Sequence, residues 1–218
     1  MFTDINTNST QRIIEVREYL DFINANLPAP PAPTPKYINT GKGLVYVQLY
    51  GIVEFTVNST ISKCILYINS DQVKLSEIKH IIYAMALNPL LESLYDARKT
   101  KWSKRYNLFS ELQSDPIVDI SSDLMPTDGK NIHFPQLESI WQTFCITEPI
   151  LHDNAFRGRL QDIVTNRINI AHGNESAADV GSRVSIPDLY NRLNDVSAFC
   201  TYIISTFDDY IKQKKYKI

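Results

Sequence analysis

The chain has 218 residues, of which 44% are hydrophobic and 21% are charged. This composition is typical of a globular protein and excludes a disordered tail or a collagen-like fibre. The formal net charge is −2, so nucleic-acid binding would have to come from a local basic patch. The seven glycines spell neither G-x-G-x-x-G nor a phosphate loop, which argues against nucleotide binding by those two motifs.

The cysteines and the hydropathy pattern indicate a soluble protein of a reducing compartment. Cys64, Cys145 and Cys200 are odd in number, far apart and set among apolar neighbours, so we expect buried thiols. No stretch reaches about 18 consecutive apolar residues, and the start of the chain lacks the pattern of a signal peptide. We therefore expect a cytoplasmic protein with no membrane association.

The N-terminal segment, residues 1–27, contains a predicted helix over residues 9–26, with Ser9 or Thr10 as its cap. A proline-rich connector, residues 28–36, follows. It holds five of the eleven prolines, and proline rings break helices, so we predict a stiff, extended linker. A proline-motif ligand for another protein is the alternative interpretation.

Residues 44–68 give two conflicting signals. Residues 44–47 and 55–57 have strand propensity. However, apolar residues persist for about 25 positions without a turn signal or a strict alternation with polar residues. We predict one long, largely buried helix, in which Gly51 marks the close approach of a neighbouring helix.

The rest of the chain is predicted to be helical with two polar loops, at 115–132 and 174–185. The predicted helices cover residues 75–87 (with Ser76 as a cap), 88–95, 101–112, 133–146, the stretch from a cap at Asp153 or Asn154 to His172, and 186–212. Gly173 is expected to stop the helix that ends at His172. The expected fold class is all-α: a single-domain helical bundle with a long loop before the last helix.

Residues 166–173 (NRINIAHG) combine an arginine, two asparagines and a histidine at the end of an amphipathic helix. Arginine can hold a phosphate by two parallel hydrogen bonds, and histidine exchanges a proton near neutral pH. His172 could deprotonate a 2′-hydroxyl or protonate a leaving oxygen, while Arg167 stabilises the charge on the phosphate. Asn166 and Asn169 could orient the phosphate or the histidine ring. These residues predict RNA cleavage without metal or cofactor.

The spacing of this candidate pair is unfavourable on a regular helix. Residues five apart point about 140° away from each other. Loosening of the last turn before Gly173, or a second copy of the motif from a partner subunit, would bring Arg167 and His172 together. The alternative is a surface cation and a C-terminal cap with no catalytic role.

The same stretch resembles the signature of the HEPN superfamily, an arginine followed after four to six residues by a histidine. Residues 49–55 (LYGIVEF), 179–183 (DVGSR) and 207–210 (FDDY) are similar to a HEPN subfamily of short, stand-alone prokaryotic proteins. The similarity covers about residues 42–215, the expected bundle core, and is densest over 152–210.

The resemblance implies a helical bundle that dimerises so that two motifs line one cleft. Active HEPN members are metal-independent ribonucleases of toxin–antitoxin, CRISPR and phage-defence systems, and the resemblance maps Arg167 and His172 onto their catalytic pair. Many members carry a polar residue directly after the arginine, where this chain has Ile168. Some members are inactive scaffolds.

Two further features could contribute to RNA binding or cleavage. Residues 98–106 hold five cations interleaved with Trp102 and Tyr106, and we single out Lys101, Trp102, Lys104 and Arg105 as RNA contacts. The alternative for this patch is a solvated helix face with Trp102 in the core. Glu54 lies in the long apolar helix, where it could pair with Arg167, position His172, or form a salt bridge with Arg159.

Two functions remain open from the sequence. The first is a homodimeric RNA endonuclease of a toxin or phage-defence system, with RNA as its substrate. The second is a catalytically inactive, HEPN-like scaffold that binds a protein, such as an antitoxin or an NTPase. The acidic net charge and Ile168 favour the second function. The intact pair Arg167 and His172 and the basic patch at 98–106 favour the first.

Overall fold

In the computed structural model, residues 1–29, 31–129 and 131–218 are described, and they form helices joined by loops. The α-helices among them are α1 (Thr3–Ala25), α2 (Lys36–Ser70), α3 (Tyr83–Ala86), α4 (Asn88–Tyr95), α5 (Lys101–Ser114), α6 (Phe134–Phe144), α7 (Phe156–Ala171), α8 (Ala177–Ser182) and α9 (Ile186–Lys212). The only β pairing within these ranges is two isolated bridges. The predicted all-α fold class is confirmed.

Helix α2 is the centre of the bundle. It packs against α1, α7, α8 and α9, and buried residues lie along its whole length. A helix surrounded in this way is apolar on all sides, which is why the sequence shows no single apolar stripe. The long buried helix is therefore confirmed, and it begins at Lys36, directly after Pro35, eight residues before the predicted start.

The backbones of α2 and α8 are in close contact, and the prediction that Gly51 marks such a contact is wrong. A methyl group added at Gly51 would meet no atom within 4 Å. At Gly43 it would lie 1.9 Å from the carbonyl oxygen of Ala177, and at Gly181 it would lie 1.8 Å from that of Asn39. Glycine is required at these two positions because the backbones of α2 and α8 touch there.

Helix α8 itself corrects the prediction of a polar loop over 174–185. The hydroxyl of Ser176 accepts a hydrogen bond from the backbone N–H of Asp179 at 3.1 Å and caps this short helix. Ala178, Val180 and Gly181 are buried. Burial against α2 explains why six residues with weak helical signals form a helix at all.

Two other boundaries differ from the prediction. Helix α1 begins at Thr3, so Ser9 is not its cap; the Ser9 hydroxyl is buried and lies 2.7 Å from that of Thr56 on α2. Within 75–87 the backbone forms two 3₁₀ turns, Leu75–Glu77 and His80–Ile82, before α3. Ser76 does not cap a long helix there, because its N–H and hydroxyl bind the carboxylate of Asp115 at 2.8 and 2.9 Å.

The remaining elements follow the predicted order. Helices α4, α5, α7 and α9 lie close to where they were expected. The predicted cap of α7 is wrong, because its N-cap residue is Ala155 and neither Asp153 nor Asn154. Helix α6 ends at Phe144, two residues early, with Cys145 in a left-handed conformation. The connector is free of α-helix at its described residues up to Pro35, and its last residue, Lys36, is the first residue of α2. The 115–132 loop is free of α-helix wherever it is described; Pro30 and Lys130, which belong to these two predictions, lie outside the described residues.

Cys64 and Cys200 are buried free thiols, as expected, and burial raises the pKa of both, that of Cys200 to about 12. Cys145 is only partly buried. Along the described ranges, none of the helices combines the length and the apolar character needed to cross a membrane.

Candidate active site at the end of α7

Helix α7 stays regular up to the candidate histidine. The backbone N–H of His172 donates to the carbonyl of Ile168 at 3.0 Å, as in an ordinary α-helix. The chain leaves the helix only at Gly173, which has a φ of +73°. The N–H of Asn174 then returns to the carbonyl of Asn169 at 2.9 Å, a Schellman motif that requires the glycine. The expected loosening of the turn at His172 is therefore absent.

Arg167 points inward from α7, toward α2 and the loop before α6. Its guanidinium lies 4.5 Å from the centre of the Tyr50 ring. Its Nη1 donates a hydrogen bond to the side-chain oxygen of Asn131 at 3.2 Å. Both partners are neutral, and among the described residues no carboxylate lies within ion-pair distance of Arg167.

Tyr50 is the buried centre of this arrangement. Its hydroxyl donates to Oε1 of Glu54 at 3.1 Å and accepts from the backbone N–H of Ile132 at 3.1 Å. The oxygen of Asn131 lies 3.4 Å from the same hydroxyl. Burial, the main cause, raises the pKa of Tyr50, so the phenol stays protonated at neutral pH. The Tyr50 side chain thus links α2 to the loop before α6 and supports Arg167 from below its guanidinium.

Glu54 reaches Arg167 only through Tyr50. Neither of the ion pairs considered for this glutamate, with Arg167 or with Arg159, is formed in the described structure, and Arg159 pairs instead with Asp195. Glu54 is half-buried and one turn along α2 from Tyr50. Its carboxylate therefore holds the tyrosine that supports the arginine.

Asn166 is held within the bundle. Its side-chain amide donates to the carbonyl and the carboxylate of Asp162, at 2.9 and 2.8 Å. Asp162 in turn forms an ion pair with Arg192 of α9 at 2.8 Å. Asn166 thus belongs to a contact between α7 and α9, and its predicted role toward a phosphate stays a prediction.

Asn169 stabilises the turn after α7. Its amide donates to Glu175 at 2.8 Å, and Glu175 pairs with Arg183 at 2.7 Å. The hydrogen bond from Asn169, followed by that from Arg183, lowers the pKa of Glu175. The asparagine therefore connects the end of α7 to the end of α8, and its role in catalysis likewise stays a prediction.

His172 lies on the outside of the protein. It is exposed, and its ring has no hydrogen-bond or ion-pair partner within the ranges that the structure describes. Because α7 is regular to this point, His172 is about 140° around the helix from the inward-facing Arg167. One subunit therefore presents the two candidate groups on different sides of α7.

A family model described as HEPN_MAE_28990-like HEPN matches residues 5–216 of the chain. The chain belongs to this HEPN family. The match includes both the Arg167–His172 motif and the α2 segment that carries Tyr50 and Glu54. Comparison of the chain with the curated proteins and with the solved structures gives no match.

The HEPN motif departs from the common pattern at Ile168, and the structure gives a reason for an apolar residue there. Ile168 is partly buried and packs against the hydrophobic core. A polar side chain at this position would lose contacts with the core. In this HEPN chain the position after the arginine therefore serves packing.

The second candidate region of the HEPN chain, Lys101, Trp102, Lys104 and Arg105, lies at the start of α5. Trp102 is 78% exposed, so the alternative that places it in the core is wrong. Lys101 and Arg105 are exposed, Lys104 is partly buried, and the Arg105 guanidinium lies 4.8 Å from the centre of the Trp102 ring. Neither α4 nor α5 has a buried residue.

Tyr50 and Asn131 are the two site residues that sequence reasoning missed. The sequence could have indicated Tyr50, because it lies one helical turn before Glu54 in the segment that resembles HEPN proteins. Asn131 gives no such signal, since it lies in an irregular loop and meets Arg167 only through the fold.

Proposed function

We propose that this HEPN protein is a metal-independent RNA endonuclease of a toxin or phage-defence system. The observation that carries the proposal is the state of Arg167. It is half-buried and fixed by the neutral groups of Asn131 and Tyr50, while no described carboxylate neutralises it. A guanidinium held in this way keeps its charge for a phosphate.

The chemistry assigns one role to each member of the pair. His172 takes the proton of the ribose 2′-hydroxyl or gives a proton to the leaving 5′-oxygen, and water or the histidine of a second copy makes the other proton transfer. The 2′-oxygen attacks phosphorus, the bond to the 5′-oxygen breaks, and Arg167 stabilises the negative charge on the phosphorane oxygens. The products carry a 2′,3′-cyclic phosphate and a 5′-hydroxyl, as balance of the reaction requires.

The active unit is a homodimer in this proposal. Arg167 faces inward and His172 faces outward, so one subunit supplies an incomplete site. Two copies related by a two-fold axis would place two arginines and two histidines around one phosphate. The interface would include the end of α7 and the 174–185 segment beside it.

A catalytically inactive scaffold is the second candidate function. The observation that favours it is that three side chains of the motif make contacts within the protein. Ile168 packs against the core, Asn166 binds Asp162, and Asn169 binds Glu175. In this case the partner would be a protein, such as an antitoxin or an NTPase, and not RNA.

Substitution of the pair separates the two functions. Arg167→Ala and His172→Ala should each reduce RNA cleavage by about 100-fold or more, since each removes a group that acts in the transition state. Circular dichroism should show unchanged helical content, and a chelator should not affect the wild-type rate. His80→Ala, which changes an exposed histidine away from α7, is the control.

Cleavage that needs magnesium, or that survives both substitutions, would contradict the nuclease and favour the scaffold. Growth of cells gives a second readout. The wild-type chain should arrest growth on expression, and the His172→Ala variant should not.

A further inference from the structure

Helices α4 and α5 form a hairpin that exposes large aromatic side chains. The two helices pack against each other, and neither contains a buried residue. The exposed fractions are 86% for Tyr95, 78% for Trp102, 74% for Tyr106 and 66% for Phe109. Exposure of this much aromatic surface to water is unfavourable in free energy, which indicates that the surface binds a ligand or a partner.

Three of these aromatic residues share one face of α5. Trp102, Tyr106 and Phe109 follow the i, i+4, i+7 spacing, which places them in one row along the helix. The row is about 10 Å long, at 1.5 Å per residue. Bases stacked at about 3.4 Å would place roughly three nucleotides along it.

The cations of this hairpin are not neutralised. Among the described residues no ion pair reaches any of the five, which are Arg98, Lys99, Lys101, Lys104 and Arg105. The other basic cluster differs. All four lysines near the C-terminus pair with carboxylates of Asp71, Glu148 or Asp208.

We propose that this hairpin face is a binding site for single-stranded RNA, separate from the cleavage site on α7. The cations would neutralise phosphates while Trp102 and Tyr106 stack on unpaired bases. Arg105 lies over one face of the Trp102 ring, which leaves the opposite face for a base. The proposal rests on the proposed function only in taking RNA as the polyanion.

Charge decides between RNA and the other occupants. A second copy of the chain would bring two identical basic faces together, and like charges repel. An apolar protein surface would cover the aromatic residues but leave five cations without partners, and charged residues are depleted at the centre of protein interfaces. Single-stranded RNA suits both features, because its phosphates can neutralise the cations and its flat bases can cover the aromatic rings.

Binding of a fluorescein-labelled 12-nucleotide oligouridylate tests the proposal. The measurement uses the full chain with His172→Ala, so that binding is read without cleavage. Trp102→Ala with Tyr106→Ala should raise the Kd by about 30-fold or more, the effect of losing two stacked bases. Reversal of Lys101, Lys104 and Arg105 to glutamate should weaken binding and flatten the dependence of log Kd on log salt by about 2 units of slope.

Lys36→Glu is the matched control, because Lys36 is exposed, lies at the start of α2, and has no ion pair in the described structure. It should leave the Kd within about twofold, a change set by long-range charge alone. The intrinsic fluorescence gives an independent readout. Trp102 is exposed while Trp141 is only 3% exposed, so the oligonucleotide should quench Trp102, and Trp102→Phe should remove that quenching.

Unchanged affinity and salt dependence in both multiple variants would overturn the proposal. So would a wild-type oligomer that dissociates on Trp102→Ala with Tyr106→Ala, since the face would then belong to a second copy. The proposed RNA-binding site and the proposed nuclease activity can be refuted independently of each other. Binding that depends on the hairpin in a chain that never cleaves RNA would refute the nuclease and leave this site intact.

Discussion

At the scale of single residues, the site depends on how Arg167 is held. Arginines are almost never fully buried without a partner for their charge, and the partly buried Arg192 has such a partner in Asp162. Arg167 is held by an aromatic ring and an amide oxygen. The buried tyrosine between Glu54 and Asn131 replaces the direct ion pair that the sequence suggested, and the charge of the arginine remains available.

Tyr50→Phe tests this role of the hydroxyl. The variant leaves the N–H of Ile132 and the carboxylate of Glu54 without their partner, so the free energy of unfolding should fall by about 1–3 kcal/mol. RNA cleavage should fall as well, because Asn131, the hydrogen-bond partner of Arg167, loses its contact with the hydroxyl, although the ring under the guanidinium remains. Urea unfolding and the cleavage rate are the measurements. Tyr37→Phe, at a tyrosine 71% exposed, should change neither quantity.

At the scale of elements, the contact between α2 and α8 makes the 174–185 segment part of the bundle. Gly43 and Gly181 allow the two backbones to touch, and the Ser176 cap starts α8 at that contact. The contact also supports the turn after Gly173, since Glu175 joins Asn169 to Arg183. The turn that follows His172 is therefore supported by a contact that requires Gly181, nine residues later, and Gly43, which is far from it in the chain.

Three glycine-to-alanine variants should separate packing from helix propensity. Gly43→Ala and Gly181→Ala place a methyl group within 2 Å of a carbonyl oxygen and should destabilise the fold by about 1–3 kcal/mol or more. Gly51→Ala meets no atom and should stabilise α2 by about 1 kcal/mol. Thermal unfolding measures all three. Equal effects at the three positions would contradict the close contact of α2 and α8.

At the scale of the whole molecule, the segment after α9 is tied to the middle of the chain. Lys214, Lys217 and the Tyr216 hydroxyl all reach the carboxylate of Asp71, at 2.7, 2.6 and 2.7 Å. The hydrogen bond from Lys214, followed by those from Lys217 and Tyr216, holds the pKa of Asp71 well below its usual value. This carboxylate joins the end of α2 to the residues that follow α9.

The stability that Asp71 provides should depend on pH. Its folded-state pKa lies below the unfolded value of about 4, so its contribution is complete above that value and is lost as pH falls below it. Asp71→Asn should therefore lower the free energy of unfolding by about 1–3 kcal/mol at pH 7 and by progressively less below pH 4. Thermal unfolding from pH 7 to pH 3 measures this, with the exposed Asp119→Asn as control.

The assembly gives a second prediction at this scale. Size-exclusion chromatography with light scattering should show a dimer at micromolar concentration, since one subunit presents only part of the proposed site. Sulfate should stabilise the dimer more than chloride at equal ionic strength, because an anion offsets the repulsion between the two arginines. A strict monomer in both salts would refute the composite site and favour the scaffold function.

The sequence by itself determined the features that local chemistry controls. Gly173 ends α7 because only a residue that tolerates a positive φ continues the Schellman motif. Pro135 lies in the first turn of α6, and the apolar stripe from Leu189 onward specifies α9. The 166–173 motif indicated the HEPN family together with the similar stretches at 49–55, 179–183 and 207–210 and the all-α character of the chain.

Only the tertiary structure decided the features that depend on distant parts of the chain. Glycine looks the same in sequence at positions 43 and 51, and the backbone of α8 alone distinguishes them. Residues 177–182 are helical because α2 buries one side of them. Whether Arg167 faces Glu54 or Asn131, and whether a basic cluster is neutralised, follows from which elements pack together. These contacts form between residues far apart in the chain, and no local pattern encodes them.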